Sequence, residues 1–157
     1  METCIEAVLT AVKEFTYRAE LKAPVDVGSS PLGTRMFFGF AGGQVEGERI
    51  KADVLAEGGD WVLIGTDGVG RIDVRGQWLT NDGAAVFVRY HGLIEMNETV
   101  GAALRTGQPT GFADQYLRIV PQFETGDERY AWLHEHIFVG RGRLTGDAVE
   151  FTVFRID

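Results

Sequence analysis

Hydrophobic and polar residues alternate with a period of two along most of this 157-residue chain. In the first such run, Phe15, Tyr17, Ala19 and Leu21 would share one face, and polar residues fall between them. This alternation is typical of a half-buried β-strand. Runs of this kind predict about nine strands at short and fairly even spacing. They cover residues 15–22, 35–45, 50–54, 61–66, 71–79, 84–94, 115–123, 132–139 and 149–156.

The turns between these runs predict how the strands connect. Asp67–Gly68 and Asp82–Gly83 each stand between two alternating runs, and Asp-Gly pairs are strong hairpin signals. Consecutive hairpins favour an all-β fold: a single antiparallel β-barrel of the up-and-down type, as in calycins and lipocalins, over residues 15–157 of a one-domain chain. Such a barrel either fills its interior with side chains or holds one small ligand.

Two segments predict short helices. Residues 1–13 carry apolar residues at helical spacing (Ile5, Val8, Leu9 and Val12), so we expect an N-terminal helix there. Asn97 is an N-cap candidate, and Gly107 followed by Pro109 is a stop signal, so a short helical insert is expected between them. This insert is either a lid over a pocket or a packing element. Residues 24–31 are interpreted as a loop.

The amino-acid composition limits the kinds of partner that the protein is expected to bind. The net charge of −8 disfavours nucleic acid and anionic membrane surfaces, because both would repel the protein. A single cysteine, Cys4, excludes an internal disulfide. With neither a signal peptide nor a membrane-length apolar run in the sequence, we expect a cytoplasmic protein that binds a small molecule.

The first candidate site residues are Asp60, Trp61, Tyr90 and His91. A carboxyl group held against an indole can have a raised pKa and act as a general acid or base, which singles out Asp60. Tyr90 and His91 are adjacent on a strand, so only one of them can face a barrel interior. Turn geometry alone is a sufficient reason for Asp67 and Asp82.

Two arginines are the second group of candidate site residues. Arg35 precedes an apolar strand, and its guanidinium is expected to enter the interior and stabilise a carboxylate or enolate oxygen. Asp73 and Arg75 share one face of a strand, where they can simply pair with each other.

The third candidate is the sequence His134-Glu135-His136. On a strand the two imidazoles would point the same way, and His91 would supply a third nitrogen for a zinc site. These are all three histidines of the chain, and Glu135 would face the opposite side of the strand. We therefore expect no metal and keep His134 as an acid–base candidate.

Several of these residues fall in segments that resemble the motifs of one family, the domain of unknown function 3237, also called the UPF 0311 group. The segments are 31–35, 42–47, 59–61, 67–68, 82–83, 90–92, 123–126 and 130–133. The resemblance implies a compact β-barrel that forms a small homo-oligomer, a dimer or larger, and it implies little about activity. It adds weight to the pocket candidates Arg35, Asp60, Trp61, Tyr90, Tyr130 and Trp132. The family usually has asparagine where this chain has His134, which argues further against a metal there.

Three functional hypotheses follow. The first is a cofactor-independent enzyme of the isomerase, lyase or hydrolase type, acting on a small, partly apolar or aromatic metabolite. Asp60 or His134 would move protons, Arg35 would stabilise negative charge, and Tyr90 or Tyr130 would donate a hydrogen bond. The second is a lipocalin-like binding protein in which the same residues orient a ligand. The third is a barrel whose interior is filled.

Overall fold

A computed structural model describes residues 8–157, and this part of the chain forms nine β-strands, one α-helix and one 3₁₀ helix. The strands are β1 (Ala11–Leu21), β2 (Val25–Ser30), β3 (Gly33–Gly47), β4 (Lys51–Ile64), β5 (Val69–Thr80), β6 (Ala85–Glu95), β7 (Leu117–Glu124), β8 (Ile137–Leu144) and β9 (Ala148–Ile156). The α-helix α1 spans Glu98–Thr106 and the 3₁₀ helix spans Glu128–Leu133. Within residues 8–157, neither helix has the length and apolar character needed to cross a membrane.

The strands close into an antiparallel barrel. From β3 to β9 each strand pairs with the next, β9 pairs with β1, and β1 pairs back to β3. Eight strands therefore form the ring, which confirms the all-β barrel expected from the sequence. The ninth strand, β2, lies outside it and pairs with the first part of β3, from Gly33 to Phe37.

A bulge interrupts β4 without changing which of its residues face inward: even-numbered residues do so on both sides of it. The pairing of β4 with β5 shifts between Val54 and Gly58, where Gly58 has φ +121° and passes close to β5. A Cβ at Gly58 would lie 2.4 Å from the carbonyl oxygen of Arg75, so only glycine fits. Ala52 and Val54 before the bulge, and Asp60 after it, all face the barrel interior. The two strands expected over 50–54 and 61–66 are thus one bent strand.

An aromatic cluster fills one end of the interior. It consists of Phe15, Trp78, Phe123 and Phe138, all buried. Ring centroids of Trp78 lie 5.7 Å from Phe15 and 5.2 Å from Phe123, and Phe123 lies 5.3 Å from Phe138 in an edge-to-face contact. These geometries are favourable for aromatic pairs. This end of the barrel is a packed core.

The helical insert is where the capping signals predicted it. The Asn97 side chain accepts a hydrogen bond from the Val100 N–H, and Gly107 closes the helix with φ +75°. Val100 and Ala103 are buried on its inner face.

Three expectations from the sequence are corrected. Residues 1–7 of the expected N-terminal helix lie outside the described residues, but its last part is strand: Ala11 already pairs with Ile156 of β9. The expected loop over 24–31 contains β2. The expected strand over 132–139 begins only at Ile137, because the 3₁₀ helix precedes it.

Candidate functional site

The other end of the barrel interior contains a cavity of about 80 Å³. Its wall comes from β1, β3–β9 and α1, and is made of aliphatic, methionine and aromatic side chains with two polar exceptions, Asp60 and Tyr90. A cavity that can hold one water needs only about 10–15 Å³, so this space is several times larger than a single water requires. We call it the interior cavity.

Asp60 is a carboxyl group set into this apolar wall. It is partly buried, and its Oδ1 accepts a hydrogen bond from the Asp73 N–H at 3.0 Å. Burial raises the pKa of Asp60 from 3.8 to about 6, because the charged form is desolvated; the Asp73 N–H opposes this rise and the nearby Asp73 charge adds to it. A carboxyl group with a pKa near neutrality is suited to proton transfer in both directions.

Tyr90 supplies the second polar group of the interior cavity. Its hydroxyl lies 3.2 Å from the hydroxyl of Tyr17, and both side chains are fully buried. Burial raises the pKa of both hydroxyls, so both stay protonated. One of the two protons can serve the Tyr17–Tyr90 hydrogen bond, which leaves the pair able to donate the other.

The interior cavity adjoins another space beside α1. A second depression of about 240 Å³ is lined by the β1–β2 loop and the β8–β9 turn, and it shares Leu21, Phe38, Leu104 and Leu144 with the cavity. Leu104 of α1 is 44% exposed and borders both spaces. A ligand entering here would pass this leucine.

Arg35 and Trp61 do not reach the interior cavity. Met36 and Phe38 line it, so Arg35 and Phe37 point to the outer face of β3. Trp61 is 41% exposed on the outer face of β4, and its ring centroid lies 4.6 Å from that of Phe37. The Arg35 guanidinium donates to the Trp61 carbonyl oxygen at 2.7 Å. The expectation that this guanidinium enters the barrel is therefore corrected.

His91 lies outside the barrel as well. Tyr90 and His91 face opposite sides of β6, as expected from their adjacency. His91 Nε2 lies 3.5 Å from an oxygen of Asp73 on the neighbouring strand. Asp73 thus faces His91, and the alternative pairing with Arg75 is not seen among the described residues.

Tyr130 and Trp132 belong to the 3₁₀ helix and do not line the interior cavity. The Tyr130 hydroxyl donates to the Asp82 carboxylate at 2.8 Å, so Asp82 anchors this helix in addition to shaping its turn. The Trp132 ring lies under the Arg49 guanidinium at 3.8 Å from its centroid. The contacts of Tyr130 and Trp132 therefore stabilise the 3₁₀ helix and its surroundings, away from the interior cavity.

The two remaining histidines are exposed and do not share a strand. His134 caps the 3₁₀ helix, and His136 contacts the Trp132 carbonyl oxygen through Nδ1 at 2.9 Å. Among residues 8–157 there is no group of three His, Cys, Asp or Glu side chains arranged to hold a metal. Neither the three-histidine arrangement nor a place for His134 in the interior cavity is therefore seen in this part of the chain.

Comparison with known proteins agrees with this barrel. Residues 10–156 match the family described as "Protein of unknown function (DUF3237)". The chain belongs to this family. A UPF0311 protein of Bradyrhizobium diazoefficiens is 32% identical over 142 residues, which are 90% of this chain and 93% of that protein. The family resemblance of the sequence motifs is thereby confirmed.

Solved structures show the family barrel directly. A conserved protein of unknown function from Rhodopseudomonas palustris superposes with a TM-score of 0.88 at 30% identity, covering 97% of this chain and all (100%) of that one. An enzyme from Penicillium herquei is more distant, with a TM-score of 0.67 at 18% identity over 96% of this chain and 94% of that one. This second likeness shows the fold alone.

Two features of the candidate site escaped the sequence interpretation. Tyr17 was assigned only to an inward strand face, although it is the partner of the Tyr90 hydroxyl. The apolar wall of the interior cavity, with Met36, Ile72 and Ile94, was not separated from the rest of the core. The alternation along a strand predicts that such residues face inward and are buried. It does not predict whether they line a cavity or belong to a packed core.

Proposed function

We propose that this protein is an enzyme in which the Asp60 carboxyl group moves a proton to or from a small, uncharged, partly apolar or aromatic compound. The observation that carries the proposal is the position of Asp60 in the apolar wall of the interior cavity, with its pKa raised to about 6. At neutral pH most Asp60 is then an ionised base in apolar surroundings, ready to accept a proton. Reactions that need such a step include isomerisation, elimination and hydrolysis of an activated bond.

The lining of the interior cavity supports an uncharged substrate. Among the described residues, its wall contains no lysine, arginine or histidine, so an anionic compound would have no positively charged partner there. Apolar side chains favour an apolar body, and the hydroxyl of Tyr90 can donate to one oxygen of the substrate. In this proposal Tyr90, rather than Arg35, stabilises the negative charge that develops when Asp60 takes the proton.

A nitrobenzisoxazole tests this chemistry without knowledge of the natural substrate. It is a small, neutral aromatic compound whose ring opens when a base removes its C–H proton: the C–H and N–O bonds break and a nitrile and a phenolate form. We expect the wild-type rate to rise with pH, with an inflection near the Asp60 pKa of about 6, and to level off above it. The phenolate absorbance reports the rate.

The outcomes of this assay separate the hypotheses. A rate no greater than that given by acetate at the same pH would overturn the proposed acid–base role. If the compound binds without turning over, the lipocalin-like binding function replaces the enzyme. A rate that lacks an inflection between pH 5 and 7 would mean that Asp60 is not the base.

We propose that the interior cavity opens beside Leu104, and we expect Leu104→Trp to narrow this opening. The larger side chain at this border position should lower kcat/KM for the probe by about tenfold, because entry is hindered. Folding stability should stay within about 0.5 kcal/mol of wild type, since Leu104 is 44% exposed. Leu93→Trp is the matched control: Leu93 is also 44% exposed but does not line the cavity. Equal kinetics for the two variants would place the entrance elsewhere.

A further inference from the structure

The pairing between β4 and β5 is interrupted beside Asp60. Asp60 pairs with Val74 and Leu63 pairs with Arg71 at the same offset, but the ladder skips the two residues of β4 between them. At this offset Trp61 stands opposite Asp73. In an uninterrupted antiparallel ladder, facing backbone groups of this kind bind each other across the strands.

Two side chains form hydrogen bonds with the backbone groups at this gap. From inside the barrel, the Asp60 carboxylate accepts from the Asp73 N–H at 3.0 Å. From outside, the Arg35 guanidinium donates to the Trp61 carbonyl oxygen at 2.7 Å. The N–H of one strand and the C=O of the other are both satisfied, yet each is satisfied by a side chain rather than by the facing strand.

We propose that Arg35 is a positioning residue for Asp60: by holding the Trp61 carbonyl outside the barrel, it leaves the Asp73 N–H to the Asp60 carboxylate. Without the guanidinium, the Trp61 carbonyl needs another donor, and the Asp73 N–H stands opposite it. Closing the ladder in this way takes from Asp60 the hydrogen bond that fixes its orientation. Arg35 therefore acts on the interior from the outer face, through the backbone of β4.

The consequence for Asp60 can be measured without any substrate. The Asp73 N–H favours the ionised form of Asp60, so its loss should raise the Asp60 titration midpoint further. Only the effect on catalysis rests on the proposed function. A failure of the titration test would leave the acid–base proposal standing, and a failure of the probe reaction would leave the role of Arg35 standing.

The experiment is an NMR titration of the full chain, following the Asp60 carboxyl carbon and the Asp73 amide. In the wild type we expect both signals to titrate with one midpoint, because they share a hydrogen bond. In Arg35→Met we expect the Asp60 midpoint to rise by about one pH unit and the Asp73 amide to stop following it. Arg35→Lys keeps the charge and one donor, and should keep the wild-type behaviour.

Arg75→Met is the control for charge alone. Arg75 is exposed on β5 opposite Gly59, so this variant removes a nearby positive charge without touching the Trp61 carbonyl. An equal midpoint shift in Arg75→Met and Arg35→Met would overturn the proposal, as would an Asp73 amide that still follows Asp60 in Arg35→Met. If Arg35→Met does not fold, Arg35→Leu carries the same expectations, since it also removes every side-chain donor.

Discussion

Asp60→Asn is expected to stabilise the folded protein at neutral and alkaline pH while it removes the probe reaction. Ionising Asp60 in the folded barrel is unfavourable, because its pKa is about 6 there against 3.8 for an ordinary aspartate. That difference corresponds to at most about 3 kcal/mol of lost stability. Asparagine carries no charge, and its carbonyl oxygen can still accept from the Asp73 N–H. The probe rate should fall by about a hundredfold or more, since the base is gone.

The difference in stability between the wild type and Asp60→Asn should depend on pH in a direction set by the raised pKa of Asp60. Below about pH 3, Asp60 is protonated in both the folded and the unfolded chain, and the two proteins should differ little. As the pH rises, the unfolded chain loses this proton first, so the wild type loses stability relative to the variant up to about pH 6. Above that pH the difference stays constant. Urea unfolding at several pH values measures it.

Asp53→Asn is the matched control for this prediction. Asp53 lies on the same strand but is exposed, so its variant should keep the wild-type free energy of unfolding within about 0.5 kcal/mol and keep the probe reaction. An Asp60→Asn protein that is less stable than wild type at pH 8 would contradict the view that the carboxylate is held in unfavourable surroundings. Gain of stability on removing a functional group is a common property of active sites.

The barrel could be predicted because its signals are local. Period-two alternation identified the strands, and the Asn97 and Gly107 caps identified α1. The errors arose where distant contacts decide the structure. Ala11 is strand because it pairs with Ile156 of β9, and the 3₁₀ helix is held by the bond from Tyr130 to Asp82, 48 residues earlier. Neither contact leaves a mark in its own segment.

The candidate site was predicted only where burial alone decides. Asp60 was a pocket candidate, and one of Tyr90 and His91 was expected to face inward; Asp60 and Tyr90 line the cavity. Arg35 was placed on the wrong face, because its direction depends on the parity of β3 relative to Met36 and Phe38, which are both apolar. Its real partner, the Trp61 carbonyl, lies 26 residues away on another strand. Strand register, which brings such groups together, is set by the whole barrel.

Trp78→Ala is expected to cost about 3–5 kcal/mol of folding stability. Trp78 is 1% exposed, and its ring centroid lies within 5.0–5.7 Å of those of Tyr17, Phe123 and Phe15. Removing the indole leaves a cavity in the aromatic cluster that fills one end of the barrel. The neighbouring rings are fixed to two other strands, β1 and β7, so they can close this space only partly. Urea unfolding of the variant at neutral pH measures the loss.

Trp78→Phe separates the packing of this ring from its polar group. The indole N–H is buried beside Tyr17 and makes no hydrogen bond of standard geometry among the described residues. Removing this poorly satisfied N–H is favourable and should offset part of the stability lost with the smaller ring. We therefore expect Trp78→Phe to cost less than about 1.5 kcal/mol, well below the alanine variant. If both variants lose the same stability, the indole N–H contributes a bond that the packed structure does not show. If Trp78→Ala costs less than about 1.5 kcal/mol, the aromatic cluster does not hold this end of the barrel closed.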